Sequence, residues 1–224
     1  MNIDQSSIDE VLEAIWVARE ASQTSINDIQ VVCERELDDT YIDVEATLGE
    51  MKRLNLVKLE SSRVEFKPKG EREAEGIIRR HRLAERLFSE VLQVSETSME
   101  ITACRLEHIL SSEVTNSVCA FLGHPPLCPH GKPIPPGECC KTYGKDRMKP
   151  LVIRLTDMEL GKEGEITFIT PSFHQRFDRL TALGVIAGNR IIVHQREPSF
   201  VIRIGETELA IDKTIAREIF VKSL

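Results

Sequence analysis

The stretch "HPPLCPHGKPIPPGECC", residues 124–140, holds six prolines and two glycines. Proline has no amide proton and its ring collides with the preceding helical turn, so this segment is neither a helix nor a central strand. It divides the chain into two textures. Before it, apolar side chains recur with helical spacing. After Met148 they come in short alternating runs broken by glycine, proline and charge.

In the first part, Ile8, Val11, Leu12, Ile15 and Trp16 mark one helix. "TSINDIQVVCERE" predicts a second short helix with Ser25 as its N-cap. "DDTYIDVEATLGEMKRLNLV" predicts a third, with Tyr41, Val44, Leu48, Met51 and Leu54 on one face and Asp39 or Thr40 as the cap. Val57 and Leu59, then Val64 and Phe66, alternate with polar residues about the turn "ESSR", which makes a hairpin. Three helices and a hairpin are the order of a winged helix-turn-helix. A long amphipathic helix over 71–92 follows, then one or two more helices over 98–122, stopped by Gly123. Ile101, Leu106, Ile109, Leu110, Val114, Val118 and Phe121 exceed what one small domain must bury, which points to a homodimer. Beyond Met148, several short strands and one helical piece, "HQRFDRLTALGV", predict a small barrel. The fold class is α+β: a winged helix-turn-helix over 1–72, a helical domain over 73–146 with the Cys/His/Pro-rich loop 124–140, and a small SH3-like β-barrel over 147–224.

No apolar run approaches the roughly 20 residues of a membrane span, and the N-terminus lacks the basic start and apolar core of a signal peptide. The expectation is a cytoplasmic protein without membrane partners, whose six cysteines serve as thiols or metal ligands rather than disulfides. Residues 1–90 hold 20 Asp and Glu against 13 Lys and Arg, which accounts for the whole net charge of −7. That acidity weighs against nucleic-acid binding by the first domain.

The residues that carry chemistry lie in "ACRLEH". Cys104, Glu107 and His108 stand at i, i+3 and i+4, so a helix brings them to one face. "HRLAE" repeats the device with His81 and Glu85. A thiolate, an imidazole and carboxylates form a mixed soft and hard donor set suited to a divalent transition metal. Fe²⁺ is the first choice and Mn²⁺ the second, with Co²⁺, Ni²⁺ and Zn²⁺ also compatible.

"HRLAERL", "CRLEH" and "HGKPIP", followed by a small C-terminal barrel of the FeoA-like type, resemble the diphtheria toxin repressor family. The resemblance implies iron- or manganese-dependent repression of transcription, through binding of a homodimer to double-stranded operator DNA, with no enzymatic activity. It implies a regulatory metal site of Cys104, Glu107 and His108, completed by Glu10 where the family places Met or Asp. An ancillary site would use His81, Glu85 and Glu100, the last standing where iron-type members have His. Its barrel ligands would fall at Phe173 and Arg176, beside His174 and Gln175. Cys128, His130, Cys139 and Cys140, with His124 nearby, depart from the family and point to an additional Zn²⁺ or iron–sulfur site. Expected DNA contacts are Thr40, Tyr41, Asp43, Thr47 and Lys52 on the third helix, with Arg63 and Lys67 on the wing. An alternative is a metal or redox sensor that acts through a protein partner.

Overall fold

The computed structural model describes residues 3–36, 42–60, 62–142, 151–170 and 174–223. They form two compact units. The first comprises Met1–Ser89, Gln93–Thr115 and Pro126–Gly137, and the second Glu90–Leu92, Asn116–Pro125 and Glu138–Leu224.

The first unit opens with three helices, α1 (Gln5–Glu20), α2 (Ile26–Glu36) and α3 (Val44–Arg53). Asp4 caps α1, its carboxylate accepting from the Ser7 amide at 2.9 Å. Ser25 caps α2 as expected, within a reciprocal box: its hydroxyl accepts from the Asp28 amide while Asp28 accepts from the Ser25 amide. The cap of α3 is Asp43, which accepts from Ala46 at 3.0 Å. The sequence pointed to Asp39 or Thr40, which lie outside the described residues. The hairpin β1 (Val57–Glu60) and β2 (Arg63–Phe66) pairs Val57 with Phe66 and Glu60 with Arg63. Leu12, Ile29, Leu48, Met51, Leu56, Val64 and Ile77 meet in one core, so helices and hairpin make a single winged helix-turn-helix body.

Helix α4 (Pro68–Arg86) starts with proline at its first position, where the missing amide costs nothing. Gly70 lets it lie against the backbone of Leu56; a β-carbon there would sit 2.1 Å from the Leu56 carbonyl oxygen. The helix runs on into a π-helical turn, Leu87–Leu92, which ends at Gln93 in the left-handed region. Helix α5 (Glu96–Glu107) packs back on α4 through Ala84, Phe88, Met99 and Ala103. The segment 126–137 is tied to α4 by Arg79, which donates to the Pro135 carbonyl at 2.5 Å, and Arg82, which donates to that of Pro133 at 2.6 Å.

The second unit holds the end of α6 (Ser112–Phe121), the short α7 (Glu138–Thr142), strands β3 (Val152–Arg154), β4 (Glu163–Ile169), β5 (Arg190–Gln195), β6 (Phe200–Ile204), β7 (Thr207–Ile211) and β8 (Ile219–Ser223), and helices α8 (His174–Ala182) and α9 (Lys213–Glu218). The six strands make one antiparallel sheet in the order β3-β8-β4-β5-β6-β7. Among the described residues β3 and β7 are its two edges, so the expected barrel is an open sheet instead. Its buried face carries Ile166, Ile191, Val193, Ile202, Ile219 and Val221 over Leu155 and Leu180.

Candidate metal centre

Three helices of the first unit bring acids and imidazoles together. Helix α1 supplies Asp9, Glu10 and Glu13; α4 supplies His81 and Glu85; α5 and the turn after it supply Glu100, Cys104, Glu107 and His108. Helical periodicity does the local work. Glu10 and Glu13 are three apart, His81 and Glu85 four apart, and Cys104 precedes His108 by one turn.

Around His108, Nε2 lies 3.0 Å from Glu10 Oε1 and 3.6 Å from Glu107 Oε1, and Nδ1 lies 3.5 Å from Asp9 Oδ2. Asp9 first, then Cys104 and Glu10, hold the imidazole in its charged form and push its pKa up to about 12. Glu107 is fully buried and reaches two ways, with Oε2 at 2.6 Å from Nδ1 of His81. Arg80 donates to the Glu107 carbonyl and steadies the last turn of α5.

Around His81, Glu13 Oε1 approaches Nδ1 to 3.3 Å and Glu85 Oε1 approaches Nε2 to 3.4 Å. Burial works to depress the pKa of His81, but hydrogen bonds to Glu107 and Glu85, with the charge of Glu13, raise it well above the ordinary range. The same Glu85 oxygen lies 2.9 Å from Nδ1 of His130, whose Nε2 is 3.7 Å from Glu100 and 3.8 Å from Glu96. Burial, then the Glu85 carboxylate, pushes the Cys128 thiol up, so it stays protonated beside its acceptor.

The donor set fits a divalent cation. Glu13, Glu85 and Glu107 are buried, and Glu85 Oε2 and Glu107 Oε1 have no hydrogen-bond partner among the described residues. Buried carboxylates need a compensating charge. Here His81 and His108, whose pKa values are raised, supply it, and a cation held by the imidazoles would take the place of their protons. Glu10, Glu107 and His108, with Cys104 against the ring, are residues that could hold one ion. His81, Glu85, His130 and Glu100 could hold a second, and Glu107 reaches both His81 and His108. Asp9, Glu13 and His130 join these groups without having been picked out for them from sequence. An acid on a helix reads as solvated until its burial is known, and His130 stands far along the chain from Glu85.

The expected thiol site divides. Cys128 and His130 lie with Glu85, whereas Cys139 and Cys140 lie with Cys119 and His124 in the second unit. The quartet Cys128, His130, Cys139 and Cys140 is therefore not one site. Arg176 is no ligand, since it donates to Glu218 at 2.7 Å. Phe173 and the side chains of His174 and Gln175 lie outside the described residues.

On α3, Thr47 is only 1% exposed and donates its hydroxyl to the Asp43 carbonyl, so it does not reach a base edge. Asp43 is occupied as the helix cap. Thr40 and Tyr41 lie outside the described residues. Lys52 and Arg63 are exposed, and Lys67 donates to Asn55 Oδ1 at 2.6 Å. The solvent face of α3 is Glu45, Ala46, Gly49, Lys52 and Arg53, of which sequence reasoning named only Lys52. No helix among the described residues is long and apolar enough to cross a membrane.

Residues 67–136 match the sequence model of the iron dependent repressor metal binding and dimerisation domain, and residues 153–223 that of the FeoA domain. The iron-dependent repressor IdeR of Mycobacterium leprae is 30% identical over 181 residues, 77% of this chain and 78% of the relative. The diphtheria toxin repressor of Corynebacterium efficiens is 28% identical over 177 residues, 76% of each chain. A solved manganese-dependent transcriptional repressor, in complex with manganese, shares the fold at a TM-score of 0.50 and 23% identity, covering 97% of this chain and 100% of its own. The chain belongs to the iron-dependent repressor family, which includes the diphtheria toxin repressor.

Proposed function

We propose that the protein is a metal-dependent transcriptional repressor, active as a homodimer on double-stranded operator DNA when Fe²⁺, or Mn²⁺ in second place, is bound. The observation that carries this reading is the buried carboxylate pair Glu107 and Glu85, each with an orphaned oxygen, facing imidazoles, of which His108 also meets Glu10 of α1. In this reading residues 1–72 bind DNA, 73–146 hold metal and the dimer contact, and 147–224 form an accessory domain.

A bound divalent cation supplies the positive charge that lets Glu10, Glu107 and His108 share one point without proton compensation. Glu10 belongs to α1, so its engagement fixes α1 against α5. Cys104 adds a soft donor that favours a transition metal over Mg²⁺ or Ca²⁺. A fixed α1 sets where α3 stands in each protomer, and two such helices must match half-sites about one helical turn apart. Lys52, Arg63 and Lys67 are the cations available for phosphate; Ala46 and Gly49 let the α3 backbone come close to base edges.

The test is selection of random duplexes by the full-length protein, prepared without oxygen, with Fe²⁺ or Mn²⁺ and with chelator. The expected result is one enriched palindrome bound only with metal, lost in Cys104→Ala and His108→Ala. Equal weak binding with and without metal overturns the reading. The exposed acids on α3 and the acidic charge of residues 1–90 then favour a sensor that acts through a protein partner.

A further inference from the structure

Away from the carboxylate centre, four sulfur and nitrogen donors converge in the second unit. Cys119 lies in the last turn of α6, His124 just beyond it, and Cys139 and Cys140 in α7. Cys119 Sγ is 3.4 Å from Nδ1 of His124 and 3.7 Å from Cys140 Sγ. Cys140 Sγ is 3.5 Å from the same Nδ1 and 3.9 Å from Cys139 Sγ. All four donor atoms lie within 4.8 Å of one another.

These separations are those of a coordination tetrahedron. Zinc–sulfur bonds of about 2.3 Å and zinc–nitrogen bonds of about 2.0–2.1 Å at the tetrahedral angle place two sulfurs about 3.8 Å apart and a sulfur and nitrogen about 3.6 Å apart. Four of the six edges agree within a few tenths of an ångström. An iron–sulfur cluster spreads its thiolates over several irons, so four donors this close enclose one ion rather than a cluster.

The backbone is built for the purpose. Helix α6 ends with Gly123 in the left-handed region, its amide donating to the Ala120 carbonyl, and the His124 amide donates to the Cys119 carbonyl. This double closure folds His124 back over Cys119. His124 is itself left-handed at φ 55°, a conformation its β-carbon disfavours, and its ring is buried. Cys119 is 1% exposed, His124 is buried, and Cys139 and Cys140 are half-buried, so the site lies under the surface on its α6 side.

We propose that Cys119, His124, Cys139 and Cys140 hold one structural Zn²⁺ in a closed Cys₃His site. Four protein donors complete the tetrahedron and leave no position for substrate, which marks a folding site rather than a catalytic one. The ion closes the chain between His124 and Cys139, the two ends of a proline-rich loop whose tip is closed by its own backbone hydrogen bonds, from Cys128 to Lys132 and from Ile134 to Pro126. That loop carries Cys128 and His130. Oxidation is the competing chemistry, since a disulfide requires a pair of these sulfurs to close to about 2.05 Å.

The test uses full-length protein purified without oxygen and dialysed against a chelator that strips the carboxylate centre. One zinc per chain is expected to remain. Zinc X-ray absorption should give three sulfurs at about 2.3 Å and one nitrogen at about 2.0–2.1 Å. Cys140→Ser and His124→Ala should each lose that zinc, whereas Cys33→Ala, in the other unit, should keep it. The wild-type absorption spectrum decides the matter if the variants fail to fold. A wild-type protein that keeps no zinc, a first shell of oxygen and nitrogen, unchanged zinc in Cys140→Ser, or a disulfide among these cysteines in anaerobic protein would each overturn the site.

Discussion

At the residue scale, position in a helix explains which candidate ligands were legible. Cys104, Glu107 and His108 stand in one turn, so their spacing alone brings them together. Cys119 and Cys140 are 21 residues apart, and only the end of α6 and the start of α7 bring them to 3.7 Å. Glu13 and Asp9 carried no signal because a helical carboxylate is ordinarily solvated. Two predictions belong here. Gly70→Ala drives a β-carbon into the Leu56 carbonyl, and backbone cannot swing aside as a side chain does. The variant should lose about 3 kcal/mol or more of stability by denaturant titration; a loss no larger than that of an exposed helical glycine would refute the close packing. Glu20 takes both guanidinium nitrogens of the buried Arg82, at 2.9 and 2.7 Å. Burial raises the Glu20 pKa, but the hydrogen bonds from Arg82 and Trp16 outweigh it, so the folded value lies below the ordinary 4.5. A carboxylate lowered on folding stabilises fully above its unfolded pKa, and that contribution is lost as pH falls through the folded value. Glu20→Gln should therefore cost about 2 kcal/mol at neutral pH and flatten the acid limb of the stability curve below about pH 4.5. An unchanged acid limb would show that the pair contributes nothing.

At the element scale, periodicity predicted the helices and the hairpin well, and closure of the sheet poorly. Strand β8 went unread because "IFVKS" follows α9 without a glycine or proline to announce it, yet it pairs with both β3 and β4. Its partners are 50 or more residues upstream, as in Ile169 with Ile219 and Val152 with Lys222, a separation on which local spacing is silent. A barrel was expected from strand number alone, but closure depends on pairing between the first and last strands in space, and among the described residues β3 and β7 do not pair. Helix α3 was found with the wrong cap and the wrong outward face. The same carboxylate that reads as a base contact at Asp43 is needed by the first-turn amides, and Thr47 turns inward to the core. Gly49, in contrast, lies outward with nothing within 4 Å of an added β-carbon. A mid-helix glycine costs up to about 1 kcal/mol relative to alanine. Gly49→Ala should raise the melting temperature by a few degrees and, if this face meets DNA, weaken operator binding at the same time. Higher stability with unchanged DNA affinity would remove α3 from the interface.

At the scale of the whole molecule, the proposed function gives one chain one recognition helix, whereas a palindrome needs two. The first unit leaves three large apolar side chains in solvent along α5 and the start of α6: Ile101 at 40%, Val114 at 46% and Ile109 at 78% exposure. They lie in the stretch that matches the metal binding and dimerisation domain. Leu106, by contrast, packs against the inner cluster of Phe88 and Met99, and Phe121 stacks near Phe168 in the second unit. The surplus of apolar residues read from the sequence thus resolves into an inward set and an outward set. A two-fold interface uses the same patch from both copies, so one substitution acts twice. Withdrawing two isoleucines from burial forfeits roughly 3–6 kcal/mol, and a carboxylate in their place adds a desolvation penalty. Ile109→Asp should therefore raise the dimer dissociation constant by about a hundredfold or more. Ile109 makes none of the ligand contacts described above, so zinc and Mn²⁺ content per chain should stay at wild-type levels. Operator affinity should collapse, because the two helices no longer hold a fixed spacing. Sedimentation at micromolar concentration checks the first outcome and metal analysis the second. A variant that remains a dimer would move the interface off this face. A monomer that still binds the palindrome with wild-type affinity would separate DNA recognition from dimerisation.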